Sequence, residues 1–297
     1  MGKIIAMVNM KGGVGKTTVT VNLATCLAKN YRKRVLIVDL DTQINATLSL
    51  MPPVKFAKLK EEKRTLRSLI NYRIQPEKSP EIAVEDIIQS NMCGIPGLHL
   101  MPGDIELYED LLLAEIIYDQ SQGEKEKFMT SWRGMEDKLI SSVLQPLVNE
   151  YDLILMDFSP GDHLITRSGI LASDYYIIPA KPEPLSLVGI GILEGRIKQF
   201  KTGDRSKIQF IGIVLTSLGR STSMADNLKN RLKKDFGSKS IFNTEIPMNV
   251  AVARAVDEYK PVVLTEPQSP GAKAFMDLAQ EFMKRFYVSK KEVNNVF

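Results

Sequence analysis

Eight consecutive residues, Lys11-Gly12-Gly13-Val14-Gly15-Lys16-Thr17-Thr18, have the types and spacing needed to hold a polyphosphate. Glycines let main-chain N–H groups converge on phosphate oxygens, and a helix beginning at the end of the run adds positive potential. Lys16 is spaced to reach the outer phosphates, and the Thr17 hydroxyl to bind Mg²⁺. The generic phosphate-loop pattern has glycine five residues before Gly15, where this chain has Met10. The run opens instead on a second cation, Lys11, which adds charge beside the phosphates.

Two further stretches supply carboxylates. Asp39 and Asp41 follow the apolar run Val35–Val38. Their i, i+2 spacing points both acids to one side at the carboxyl end of a strand, the edge where α/β sheets bind ligands. One acid can serve the Mg²⁺ shell while the other orients water. Leu153-Ile154-Leu155-Met156 ends in Asp157, an apolar strand closed by an acid in the Walker B manner. No serine–histidine–acid arrangement competes, because His99 falls in a strand and His163 in a loop. Cys26 and Cys93 form no CxxC or Cys/His cluster, so they read as two reduced thiols rather than zinc or iron–sulfur ligands.

These residues need a sheet to carry them. Apolar runs at Ile4–Val8, Val35–Val38, Leu98–Met101, Leu153–Met156, Tyr175–Ile178, Phe210–Leu215 and Thr244–Ile246 read as strands, with helical patterns between most of them. Continuously apolar strands alternating with helices predict an α/β single-domain fold, a mostly parallel twisted β-sheet flanked by helices on both faces. The 297 residues fit one large domain or two small ones, and 44% hydrophobic and 25% charged residues are those of an ordinary soluble protein. We read 1–288 as that domain and 289–297 as a polar tail. Stretches near 52–96 and 119–133 break the rhythm and read as peripheral insertions. The charged run Lys55–Arg67 also carries Glu61 and Glu62, and reads as a solvated helix face. No apolar run is long enough for a transmembrane helix. A first strand starting at residue 4 is not expected to leave room for a signal peptide.

The eight-residue loop resembles the deviant Walker A box of the ParA/MinD family of P-loop ATPases. The resemblance extends to Asp39-Leu40-Asp41-Thr42-Gln43-Ile44-Asn45-Ala46-Thr47, which is similar to the family's switch segment, with Thr42 for a proline and Ile44 for a glycine. It includes Asp157-Phe158-Ser159-Pro160, where the family usually has two prolines and this chain has Ser159 for the first. Segments from Met101, Asp174, Glu245, Lys260 and Pro270 continue the similarity over nearly the whole chain outside the two insertions. The resemblance implies ATP and Mg²⁺ as cofactors, with Lys11, Lys16 and Asp41 catalytic. Lys11 would cross a dimer to the partner's nucleotide, and Asp41 would orient the attacking water. Residues 11–18 would hold the phosphates. Thr17, Asp39 and Asp157 would serve the metal, and Thr216, Pro247 and Met248 the base. It is also the compact form of the family that is expected, the ATPase core without a DNA-reading domain ahead of the loop.

Charge is uneven. Between Arg196 and Lys239 eleven basic residues face three acids, in a chain whose net charge is +4. Such an excess marks an anion-binding face. By resemblance to compact ParA proteins, non-specific DNA would be bound there once ATP has built a homodimer. The residues expected to carry it are Arg196, Lys198, Arg220, Lys229 and Lys233. The resemblance implies slow hydrolysis, stimulated by a separate partner protein, that segregates or positions a plasmid, a chromosome or other cargo in the cytoplasm on the nucleoid. The alternative is a MinD-like ATPase that works on a membrane through a C-terminal amphipathic helix. The last helical pattern, Phe275, Leu278, Ala279, Phe282, Met283 and Phe286, is expected to pack on the sheet instead.

Overall fold

The computed structural model describes residues 1–107, 110–216 and 223–294. Six parallel strands form one sheet: β1 (Lys3–Met7), β2 (Val35–Leu40), β3 (Leu98–Met101), β4 (Leu153–Phe158), β5 (Tyr175–Ala180) and β6 (Gln209–Leu215). Their spatial order is β3-β2-β4-β1-β5-β6. The helices among the described residues are α1 (Lys16–Tyr31), α2 (Asn45–Leu48), α3 (Pro53–Glu61), α4 (Leu66–Ile74), α5 (Val84–Ile87), α6 (Asp110–Gln120), α7 (Lys125–Leu144), α8 (Leu164–Ala172), α9 (Pro184–Thr202), α10 (Ser223–Phe236), α11 (Val250–Asp257), α12 (Val262–Thr265) and α13 (Pro270–Asn294).

Side chains alternate across the sheet, and both faces are buried. Ile4, Ala6, Leu36, Val38, Ile154 and Met156 enter one core, which α4, α7, α8 and α9 cover. Ile5, Met7, Val35, Ile37, Leu153 and Leu155 enter the other, under α1, α11, α12 and α13. This two-sided burial is why the strands read as continuous apolar runs rather than alternating ones. The expected α/β architecture is the observed one. All six apolar side chains of the last helical pattern, from Phe275 to Phe286, lie in the second core. The helix continues through the polar segment to Asn294.

The seventh expected strand, Thr244–Ile246, is not a strand. The chain there touches β6 through an isolated bridge between Ile213 and Ile241 and through the Ile246 N–H, which donates to the Leu215 carbonyl at 2.8 Å. The intervening N–H groups of Asn243 and Thr244 donate instead to the Glu281 carboxylate of α13, each at 2.8 Å. A carboxylate on a neighbouring helix has taken the donors that a strand ladder would use. The stretch 52–96 is largely helical. Leu66, Leu69, Ile70 and Ile74 of α4 enter the first core, and Phe56 and Leu59 of α3 enter the second.

Candidate phosphate- and metal-binding site

The loop after β1 turns at the carboxyl edge of the sheet and feeds α1. Asn9, fully buried, holds its start. The Asn9 side-chain amide donates to the Pro179 carbonyl at 2.9 Å, and its Oδ1 accepts from the Lys11 N–H at 3.0 Å. Gly13 and Gly15 sit at φ +70° and +81°, left-handed conformations that favour glycine. Gly15 caps α1 with no side-chain acceptor, so the first-turn N–H groups of the helix remain for a ligand in front of it. Gly12 and Gly13 are exposed, Val14 is buried, and Thr18 is half-buried with its carbonyl accepting from Asn22 at 2.9 Å.

Lys16 is 6% exposed, and its ammonium donates to the Lys11 carbonyl at 3.1 Å, inside the turn of the loop. Burial lowers its pKa, and the charges of Asp157 and Asp41 work the other way. Lys11 points elsewhere. It is half-buried and ion-paired with Glu183, the residue that precedes α9. The loop therefore separates its two cations, one turned in and one at the rim.

The carboxylates converge as the sequence predicts. Asp39 and Asp157 are register partners across β2 and β4, and neither is exposed. The Thr17 hydroxyl donates to Asp157 Oδ2 at 2.6 Å, and Thr20 approaches Oδ1 at 3.3 Å. Burial, then the neighbouring Asp39 charge, push Asp157 up to about 8, against the Thr17 hydrogen bond and Lys16. A carboxylate so disfavoured in its charged form is suited to a cation. One hydroxyl and one carboxylate are also a donor set typical of Mg²⁺, whose shell keeps waters and phosphate oxygens. Among the described residues no group of three or more His, Cys, Asp or Glu gathers to hold a metal alone.

Asp39 is used differently from Asp157. It accepts from the Thr47 N–H at 2.8 Å, the Thr47 hydroxyl at 2.7 Å and the Asp41 N–H at 3.2 Å. Burial raises its pKa to about 6, and those hydrogen bonds oppose the shift. Thr47 in turn accepts from the Gly103 N–H at 3.0 Å. A Cβ on Gly103 would sit 2.9 Å from the Asp39 carbonyl oxygen, so the segment after β3 packs directly on the acid. Thr47 was not singled out from sequence. Its signal was a small hydroxyl in Asn45-Ala46-Thr47 beside two acids. Asp41, 6% exposed, accepts from the Gln43 N–H at 3.0 Å and from the Ser159 hydroxyl at 2.9 Å, both at Oδ1.

The remaining expected residues lie apart from this cluster. Thr216 is buried against the loop rather than open to it. Its hydroxyl donates to the Val14 carbonyl at 2.7 Å, and its side chain lies 3.6–3.7 Å from a Cβ built on Gly15. Pro247 is half-buried, and Met248 is 72% exposed. Of the basic residues, Arg196 on α9 is ion-paired with Asp162, and Lys229 on α10 with Glu245. Arg205, in the same stretch, pairs with Glu136 and Asp137. The charge excess is therefore partly neutralised by acids from other segments. Lys198 and Lys233 are exposed, and Arg220 lies outside the described residues.

A family model described as an AAA domain matches residues 2–210. The chain is 33% identical over 281 residues to the sporulation initiation inhibitor protein Soj of Bacillus subtilis, covering 95% of this chain and 98% of that one. It is 31% identical over 282 residues to the chromosome-partitioning ATPase Soj of Thermus thermophilus, covering 95% of each. Among solved structures, the cell division ATPase MinD of Pyrococcus furiosus is similar with a TM-score of 0.64 and 26% identity, covering 96% of this chain and 99% of that one.

Proposed function

The chain belongs to the ParA/MinD family of P-loop ATPases, and on that premise we propose that it is a nucleotide-driven partition switch. In this reading residues 11–18 hold the phosphates of ATP, with Lys16 on the outer ones. Thr17 and Asp157 hold Mg²⁺, which supplies positive charge to the phosphate oxygens. Asp39, through Thr47, sets the segment that carries Asp41, and Asp41 orients the attacking water. Pro247 and Met248 are the proposed adenine-side contacts, and Thr216 supports the loop from behind. ATP brings two copies together with Lys11 reaching the partner's nucleotide. The pair presents basic surface to DNA, and slow hydrolysis, stimulated by another protein, ends the cycle on the nucleoid.

The observation that carries this reading is the division of labour between two lysines in one loop. Lys16 is buried in the turn, and Lys11 sits at the rim, ion-paired with a partly exposed Glu183. A cation at the rim is placed to reach beyond its own loop. On the DNA face, Lys198 and Lys233 are exposed, whereas Arg196 and Lys229 are committed to acids of their own chain. Phosphate contacts by such lysines give affinity without sequence readout and weaken steeply with salt. The aromatic face of α13 is spent on the core, which argues against a membrane role for it. Among the described residues no helix is long and apolar enough to cross a membrane.

The test is binding to random-sequence DNA and to anionic liposomes with ATP, ADP or neither. Salt-sensitive DNA binding that requires ATP and falls in Lys198→Glu and Lys233→Glu is expected. Liposome binding without DNA binding would replace this reading with the MinD-like one.

A further inference from the structure

β4 leaves the sheet at Phe158, and the three residues that follow cross between the two halves of the site. The far end of this bridge is tied to the phosphate loop. The Gly161 N–H donates to the Met10 carbonyl at 3.1 Å. The Pro160 ring lies 3.6–3.7 Å from the position a Cβ would take on Gly12. The near end is tied to Asp41 by the Ser159 hydroxyl. Asp41 Oδ1 thus has two donors, Ser159 Oγ at 2.9 Å and the Gln43 N–H at 3.0 Å. Oδ2 accepts from no described residue. Two donors on one oxygen fix the plane of a carboxylate and aim the other oxygen.

We propose that Ser159 is a positioning residue for hydrolysis: its hydroxyl holds Asp41 so that Oδ2 is presented to the attacking water, and through Pro160 and Gly161 it ties that aim to the phosphate loop. The inference rests on the reading of Asp41 as the water-orienting group. It departs from the family's usual pattern, which has a proline at this position, and a proline has no hydroxyl to donate. A carboxylate free to rotate loses the near-attack geometry without losing the phosphate contacts, so the effect belongs to turnover and not to nucleotide affinity.

The experiment compares the wild-type chain with Ser159→Ala, Ser159→Thr, Asp41→Ala and the Ser159→Ala/Asp41→Ala double variant. Phosphate release is followed against ATP concentration in Mg²⁺, and nucleotide affinity is measured separately by titration with ATP. Ser159→Ala is expected to lower kcat about 3–10-fold while affinity stays within about twofold. Ser159→Thr, which keeps the hydroxyl, restores kcat, and the double variant is no slower than Asp41→Ala. An inactive Asp41→Ala with an unchanged Ser159→Ala overturns this inference alone. A fully active Asp41→Ala overturns the reading of Asp41 and this inference with it. Loss of kcat and affinity together in Ser159→Ala, with no recovery in Ser159→Thr, marks a packing role and also overturns it.

Discussion

Replacing Asp157 with asparagine tests whether the proposed metal site stores electrostatic cost in the fold. Burial and the Asp39 charge lift this carboxyl from its ordinary 3.8 to about 8. At pH 7 the group is therefore mostly protonated in the folded chain and ionised in the unfolded one. Folding takes up a proton, and stability from this group falls as pH rises from about 4 to about 8. The accumulated cost at pH 7 is about 4 kcal/mol, from 1.36 kcal/mol per unit. Between pH 7 and pH 8 the wild-type chain should lose a further ~1 kcal/mol. The amide of the variant carries no charge in either state and escapes both costs, though burying its NH2 group, with two N–H donors, offsets about half of the gain. We expect Asp157→Asn to melt roughly 3 °C higher without nucleotide or Mg²⁺, to lose the pH 7–8 slope, and to fail in Mg²⁺-dependent hydrolysis. Calorimetric or fluorescence melting at the two pH values measures this. A variant that melts lower than the wild type, or keeps the same slope, refutes the reasoning.

Other outcomes follow from the same geometry. Lys16→Ala should abolish the rise in melting temperature produced by ATP, because the buried ammonium is the loop's inner cation. Lys11→Ala should keep that rise yet lose ATP-dependent self-association in light scattering, and a variant that still dimerises would remove Lys11 from the interface. Gly103→Ala would place a Cβ 2.9 Å from the Asp39 backbone oxygen, closer than real Cβ atoms approach. A loss of about 1–3 kcal/mol in chemical denaturation is expected, and an unchanged midpoint would mean that the Asp39–Thr47–Gly103 packing can yield.

Six of the seven strands were legible because they are mostly buried on both faces and read as apolar runs, broken in β3 by the half-buried His99. Leu98–Met101 matches its expected bounds, β2, β4 and β5 run two residues further at the carboxyl edge, β6 starts one residue earlier, and β1 is shifted one residue towards the N-terminus. The false seventh, Thr244-Glu245-Ile246, has a single apolar residue, and its Thr244 N–H is taken by Glu281, 37 residues away. The phosphate loop and its three acids were legible because their chemistry fixes local spacing. What escaped were pairings across long separations: Lys11 with Glu183 at 172 residues and Ser159 with Asp41 at 118. The charge excess from Arg196 to Lys239 was counted within one segment. The acids that offset it, Asp162, Glu136, Asp137 and Glu245, stand outside that segment.

The strand order carries a consequence for how the chain comes into being. β1 and β2 are consecutive in sequence, yet β4 lies between them. During synthesis from the N-terminus, the first hundred residues contain the phosphate loop, Asp39 and Asp41 but lack the strand that joins them. The facing edges of β1 and β2 stay unpaired until Leu153–Phe158 is made. Thr17 waits 140 residues for Asp157. No fragment ending before β4 can bring Thr17 and Asp157 together. The candidate site is complete only in a molecule whose central strand has already been inserted.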